Sequence, residues 1–151
     1  MCLHKPLKIT KDVREQKYWY KVYTLSSHGN GEMRFSPIFY HTYFASDQCA
    51  PYKVGDKLYR YRTIPKLYDH EGRPTKINRI TYGAWAYTNY NYPVGFHCYR
   101  TLDDARYEKR IHGNTGIVKV EVGTLVAYGT EISHKTVGVF KTIKLVEYIE
   151  E

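Results

Sequence analysis

Residues 117–122 read Ile-Val-Lys-Val-Glu-Val, and this alternation limits the fold more than any other stretch of the chain. Ile117, Lys119 and Glu121 face one way, and Val118, Val120 and Val122 the other, which describes a strand with one apolar face. β-Branched residues at every second position suit a pleated surface, and Gly123 ends the run. The same period recurs elsewhere. Residues 18–25, YWYKVYTL, place Trp19, Tyr23 and Leu25 with Lys21 on one face and Tyr18, Tyr20 and Val22 on the other. Both faces are partly apolar, which predicts a strand central in its sheet. Residues 33–44 are aromatic and β-prone, and Pro37 assigns that part to an edge or a bulge. Residues 58–64, LYRYRTI, set Leu58, Arg60 and Arg62 against Tyr59, Tyr61 and Thr63, a half-buried strand with a basic outer face. Further strands are expected at 95–99, at 124–131 and at 139–149, the last with Ile143 and Leu145 on one face.

Turn chemistry separates these runs. His28-Gly29-Asn30-Gly31 supplies a turn through Asn-Gly. Residues 47–57 form a loop that turns at Gly55-Asp56, residues 69–74 turn again, and residues 77–92 read as an irregular aromatic loop with some strand. One stretch alone signals a helix. Thr101 offers a hydroxyl to the first free amides, and Asp103 and Asp104 stand in the positive first turn. Leu102, Ala105 and Lys109 make a stripe, and Gly113 suits a C-cap. Lys109, Arg110 and His112 near the helix end answer its negative pole. Strands that do not alternate with helices exclude repeated βαβ units. The expected fold class is therefore α+β, with one mostly antiparallel or mixed sheet and one short helix at about residues 101–112. Residues 1–16 are expected as an N-terminal arm or short element, and residues 17–151 as a single domain.

A chain of 151 residues fits one domain. Its formal charge is +8, a field that draws acidic protein surfaces or nucleic acid. Seventeen tyrosines against five phenylalanines mean that some phenol rings must serve the core. The remainder are expected on a surface or interface, where a ring with a polar tip is useful. Cys2, Cys49 and Cys98 are odd in number and widely spaced, which speaks against a disulfide framework. No CxxC pair suggests structural zinc. The opening residues lack the apolar stretch of a secretory leader, and no run reaches the ~20 apolar residues of a membrane-spanning helix. No membrane association is expected.

Motifs of chemistry are sparse. P-loop, dinucleotide, HExxH and nucleophile-elbow patterns are missing. His41, His97, Cys98 and His134 are scattered without ligand spacing, so no metal is expected. A histidine-based phosphoesterase needs two His-x-Thr/Ser units, one histidine as base and one as acid. His134-Lys135-Thr136 fits, whereas His41-Thr42-Tyr43 has tyrosine at the required hydroxyl position. A binding surface has better candidates in Arg60, Arg62 and Lys66 beside Tyr59, Tyr61 and Tyr68. The cations would neutralise phosphates and the rings would stack on bases. Regular alternation sets Arg60 and Arg62 opposite Tyr59 and Tyr61, so a combined platform there requires a bulge or an edge twist.

Gly95-Phe96-His97-Cys98-Tyr99-Arg100-Thr101-Leu102-Asp103-Asp104-Ala105, followed by the valine-rich strand, resembles a pattern in ADP-ribosyltransferase-like domains. The resemblance covers residues 93–131. It implies NAD as cofactor, with His97 or Tyr99 near the nicotinamide end and Glu131 as the late acid that stabilises the cationic sugar. The first-strand position that takes Arg or His in that family falls near Tyr20 and Lys21. More broadly, the chain resembles small proteins encoded by bacteriophages and prophages of gut bacteria, which implies a virion component or a protein acting in the host cytoplasm. The leading expectation is a non-enzymatic basic binding or assembly protein of phage type. Its partner would be an acidic protein or a nucleic acid, self-assembly is plausible for it, and it needs no cofactor.

Overall fold

The computed structural model describes residues 3–27, 33–37, 54–60, 65–66, 75–76, 79–81, 91–93, 95–111, 113, 115–131 and 135–150. Along the chain lie β1 (Lys5–Pro6), α1 (Lys11–Glu15), β2 (Tyr18–Ser27), β3 (Met33–Pro37), β4 (Leu58–Arg60), β5 (Pro65–Lys66), β6 (Thr75–Lys76), β7 (Arg79–Thr81) and β8 (Asn91–Pro93). They are followed by β9 (Phe96–Tyr99), α2 (Leu102–Ile111), β10 (Thr115–Val122), β11 (Leu125–Thr130), β12 (Thr136–Phe140) and β13 (Thr142–Glu150). Nine strands form one sheet in the order β1-β11-β12-β9-β2-β10-β13-β4, with β3 also paired to β2. Every described pairing is antiparallel. The fold is α+β, and β2 is central, as its two apolar faces require.

Strands β10 to β13 make a single long hairpin bent at its middle. Thr130 lies opposite Thr136 near the tip, and the ladder runs back through Gly129–Val137 and Tyr128–Gly138. At the bend the Gly123 amide donates to Thr142 O and the Lys141 amide to Thr124 O, at 2.9 Å each. Beyond it the same two chains continue as β10 and β13, with Val122 opposite Ile143 and Val120 opposite Leu145. A Cβ on Gly123 would run into the Thr142 side chain, which explains glycine at the corner. The expected single strand over 139–149 is thus two strands, separated by Lys141.

This bend brings the sheet back on itself. β10 pairs with β2, β2 pairs with β9 through Tyr20 and Tyr99, β9 pairs with β12, and β12 pairs with β11, the continuation of β10. The circuit of neighbours closes around an interior. Trp19, Tyr23, Phe96, Cys98, Val118, Val120, Tyr128, Phe140, Ile143 and Leu145 fill that interior, and Val13 of α1 closes on it. Trp19 meets Phe140 and Tyr128 edge-on, with ring centroids 4.9 and 6.2 Å apart, the geometry that aromatic quadrupoles favour. A second cluster lies on the outer face. There Val22, Tyr99, Ile117, Val137 and Val139 pack with Leu3, Tyr92 and Ala105 of α2. Each aliphatic side chain buried in these clusters contributes about 1.5–3 kcal/mol.

Helix α2 begins as expected. The Asp104 amide donates to the Thr101 hydroxyl at 3.2 Å, with Asp103 and Asp104 in the first turn. Two details differ. Gly113 does not take a left-handed conformation, and among the described glycines only Gly55, with φ 148°, has positive φ. The deepest polar residue of the helix is Glu108 rather than Lys109. The start of the chain also joins the fold. β1 pairs with β11, and Leu3 and Val13 are buried.

Side chains are described for nine tyrosines, and most of these serve the core, as the scarcity of phenylalanine requires of part of the set. Tyr23, Tyr92, Tyr99 and Tyr128 are buried, and Tyr20, Tyr59 and Tyr148 pack against the two clusters. Tyr18 and Tyr107 are the exposed ones of the nine. Phenol has taken the core role that phenylalanine plays in most domains. Among the described residues no helix is long and apolar enough to cross a membrane.

Candidate functional site

The outer face of the sheet is divided. Helix α2 lies over β2, β9 and the start of β10, covering Val22, Tyr99 and Ile117. The other half of that face is formed by the first residues of β2, the end of β10, β13 and β4. Its side chains come in cross-strand rows: Tyr20 beside Lys119 beside Glu147, and Tyr18 beside Glu121 beside Lys144 beside Leu58. A register shift opposite Lys119 and Val120 adds a residue to β13 and leaves Val146 exposed. Tyr18 is 37% exposed, Val146 38% and Leu58 46%.

Four cations border these groups: Lys17, Arg60, Lys119 and Lys144. Lys17 and Lys144 share Glu121 at 3.5 and 3.9 Å, and Lys119 approaches Glu147 at 3.9 Å. The Lys119 ammonium stands 4.6 Å from the centre of the Tyr18 ring, and that of Lys17 stands 5.4 Å from it. Glu121, then Tyr18, hold the Lys17 pKa above its ordinary value. Such wide, wet ion pairs contribute little and open readily. The face therefore presents exposed apolar groups among cations that outnumber the carboxylates.

The residues singled out in the sequence for binding divide across this face. In β4, Leu58 and Arg60 are exposed, while Tyr59 packs against the interior cluster, its ring 5.4 Å from the Lys57 ammonium. The alternation read from LYR holds, and it separates Tyr59 from Arg60. Lys66 lies in β5, which pairs with β6 outside the main sheet. Tyr61, Arg62 and Tyr68 lie outside the described residues. The sequence reading missed Tyr18 and Lys119 as neighbours. Their link is a cross-strand register between segments a hundred residues apart, and no local pattern reports it.

His97, Tyr99 and Glu131 do not form one site. His97 and Tyr92 meet at 2.9 Å between Nε2 and the hydroxyl, which also accepts from the Leu3 amide at 3.0 Å. Nδ1 of His97 donates to Gly95 O at 3.1 Å. A carbonyl only accepts, so in the neutral ring the proton is on Nδ1 and Nε2 accepts from Tyr92. This chain of bonds ties the N-terminal segment to β9. Tyr99 does meet Glu131, donating to its Oε1 at 3.3 Å. Both are buried with Lys135, whose ammonium is 2.9 Å from Glu131 Oε1 and 3.3 Å from Glu108 Oε2. Burial, then the charges of Glu131 and Glu108, push the Tyr99 phenol far above the usual range. Glu131 is thus committed to a buried ionic tie between α2 and the hairpin tip. His41 and His134 lie outside the described residues. Among the described residues no group of three or more His, Cys, Asp or Glu is placed to hold a metal ion.

A second buried cation occupies the interior. Lys21 donates from Nζ to His97 O at 2.9 Å and lies 5.4 Å from the Tyr23 ring centre. Burial lowers its pKa, and the same burial pushes the neighbouring Cys98 thiol up to about 12. Neither group faces a surface where a substrate could meet it.

Comparison with protein-family models, with curated proteins and with solved structures finds no match to this chain. Its function is argued from the arrangement of its own residues.

Proposed function

We propose that this chain is a non-enzymatic binding module that contacts an acidic partner through the open half of its outer sheet face. One observation carries the reading. Helix α2 shields one half of that face, and the other half keeps Tyr18, Leu58 and Val146 exposed among Lys17, Arg60, Lys119 and Lys144. The overall charge of +8 supports it, since a basic field draws a polyanion to the face before contact. The buried ionisable groups support it as well, because each is engaged in holding the fold. A protein of the expected phage type would use such a face in assembly or in contact with a host component.

Binding of a fluorescent polyphosphate, followed by anisotropy across a salt series, tests the reading. Affinity should fall steeply with salt. Reversing both Lys119 and Lys144 to glutamate should weaken binding and lower the slope of log K against log salt by about 2. A folded variant with unchanged affinity would move the contact surface elsewhere.

A further inference from the structure

We infer that the partner of this face is single-stranded nucleic acid, with Tyr18 as the ring on which a base stacks. The inference rests on the basic-face reading above and goes further by assigning the ligand.

Tyr18 is exposed near the start of β2, whereas Tyr20, two residues on and on the same side of the strand, packs against the outer cluster and holds that side of the strand in place. Two cations attend the exposed ring: the Lys119 ammonium stands 4.6 Å from the centre of the Tyr18 ring, and that of Lys17 stands 5.4 Å from it. A nucleotide offers a flat base and a phosphate a short distance apart, and this pairing of ring with ammonium matches it part for part. When a base takes the Tyr18 ring, the lysine now over it turns to the phosphate. Its cation–π contact at an exposed site is weak, so the exchange is easily made. Beyond the ring, Lys144 and Arg60 extend the cationic track across β13 and β4. Leu58 and Val146 give apolar ground between them. An acidic peptide would satisfy the charges and leave the Tyr18 ring unused. A duplex hides its bases from that ring.

The test compares four ligands in low salt: a 12-nucleotide thymidine strand, an abasic strand of equal length, the corresponding duplex, and polyphosphate. The thymidine strand should bind about 10-fold tighter than the abasic one, as one base stacked on an aromatic ring provides. Tyr18→Ala should erase most of that margin and leave polyphosphate binding unchanged, while Tyr18→Phe should keep it. Tyr18 is partly exposed, so these variants fold, and circular dichroism checks that they do. Equal affinity for abasic and thymidine strands, or tighter binding of the duplex, would overturn stacking on Tyr18 and leave the basic face standing. No binding of any of the four at low salt would overturn both.

Discussion

Lys21 and Lys135 are hidden from water to the same degree, 5% and 6% exposed, yet burial has opposite consequences for them. Lys21 stands inside the closed circuit of strands, between Trp19 and Tyr23 on β2. Its ammonium has the carbonyl of His97 and the face of the Tyr23 ring for company, and burial lowers its pKa with only the Cys98 thiol acting against it. Lys135 stands where the hairpin tip meets α2. Burial pulls on it too, but the hydrogen bond and charge of Glu131, and then Glu108, outweigh burial and hold its pKa above the ordinary lysine value. The contrast shows that depth alone does not decide a buried charge. The decision lies with a carboxylate in reach, and the outer cluster has two where the inner one has a thiol.

The contrast is broken most severely at the paired site. Lys135→Met leaves Glu108 and Glu131 facing each other in a dry space, and the expected loss is about 3–5 kcal/mol in urea unfolding. The pH dependence has a definite sign. A lysine whose native pKa lies above 10.5 contributes stability that is complete below 10.5 and is lost as pH rises through the native value. The native protein should lose stability in that alkaline range, and the variant should lack this component.

The unpaired site predicts the reverse. With its native pKa below 10.5, Lys21 carries its full desolvation penalty at pH below that native value. The penalty fades as pH climbs toward 10.5, because the unfolded chain then binds the extra proton. Lys21→Met should therefore raise stability at acid and neutral pH by about 1–2 kcal/mol, in the direction found when buried charges give way to apolar side chains. The gain should shrink toward pH 10. Cys98 adds an opposing slope, since its thiol ionises near 9 in the unfolded chain and about 12 in the native one, so stability falls between those values. Urea unfolding of Lys21→Met at pH 6, 8 and 10 measures the first effect. A variant less stable than the parent at pH 6 would show that the bond to His97 O outweighs the burial of charge.

The sequence showed the strands and the one substantial helix because both depend on local periods. The valine alternation at 117–122, the two faces of β2, the half-buried LYR and the Thr101 cap all appear where the pattern places them. Even the placement of Lys21 on the Trp19 face was readable. What it meant there was not, because the interior arises only when β10 and β13 bend at Gly123 and Lys141 and return to β2 and β9. Glu131 stood out as an acid and was linked to cofactor chemistry. Its four-residue spacing to Lys135 was visible, but Glu108 comes from a helix and no period in the sequence connects the two. The tyrosines could not be divided between core and surface for a similar reason. Alternation assigns a ring to a face, and it does not say whether a helix will cover that face, as α2 covers Tyr99, or leave it open, as at Tyr18.

Within the paired site the contribution of the phenol separates from that of the ammonium. Tyr99→Phe removes a single donor whose distances to the two Glu131 oxygens are long, 3.3 and 3.5 Å, and leaves the Lys135 pair intact. The expected loss is about 1 kcal/mol, well below that for Lys135→Met. A loss as large as that of the lysine variant would mean that the hydroxyl, rather than the ammonium, holds Glu131 in place.

The smallest effect is expected where the same ionic chemistry stands in water. Lys17 and Glu121 approach to 3.5 Å on the open face, with the lysine side chain 59% exposed. Solvent screens this pair, and two long side chains lose freedom to hold it, so removing either partner should leave the urea-unfolding midpoint essentially unchanged. A double-mutant cycle with alanine at both positions should give a coupling near zero at 0.5 M salt, since a Debye length of a few ångströms leaves little attraction across the pair. This weakness is what the binding face needs. Cations held as firmly as Lys135 would be stabilising and useless to a ligand, whereas Lys17, Lys119 and Lys144 can leave their carboxylates at little cost. A clear coupling between Lys17 and Glu121 that persists at 0.5 M salt would make the outer network structural, and the open face would lose the free charges on which its affinity for a polyanion depends.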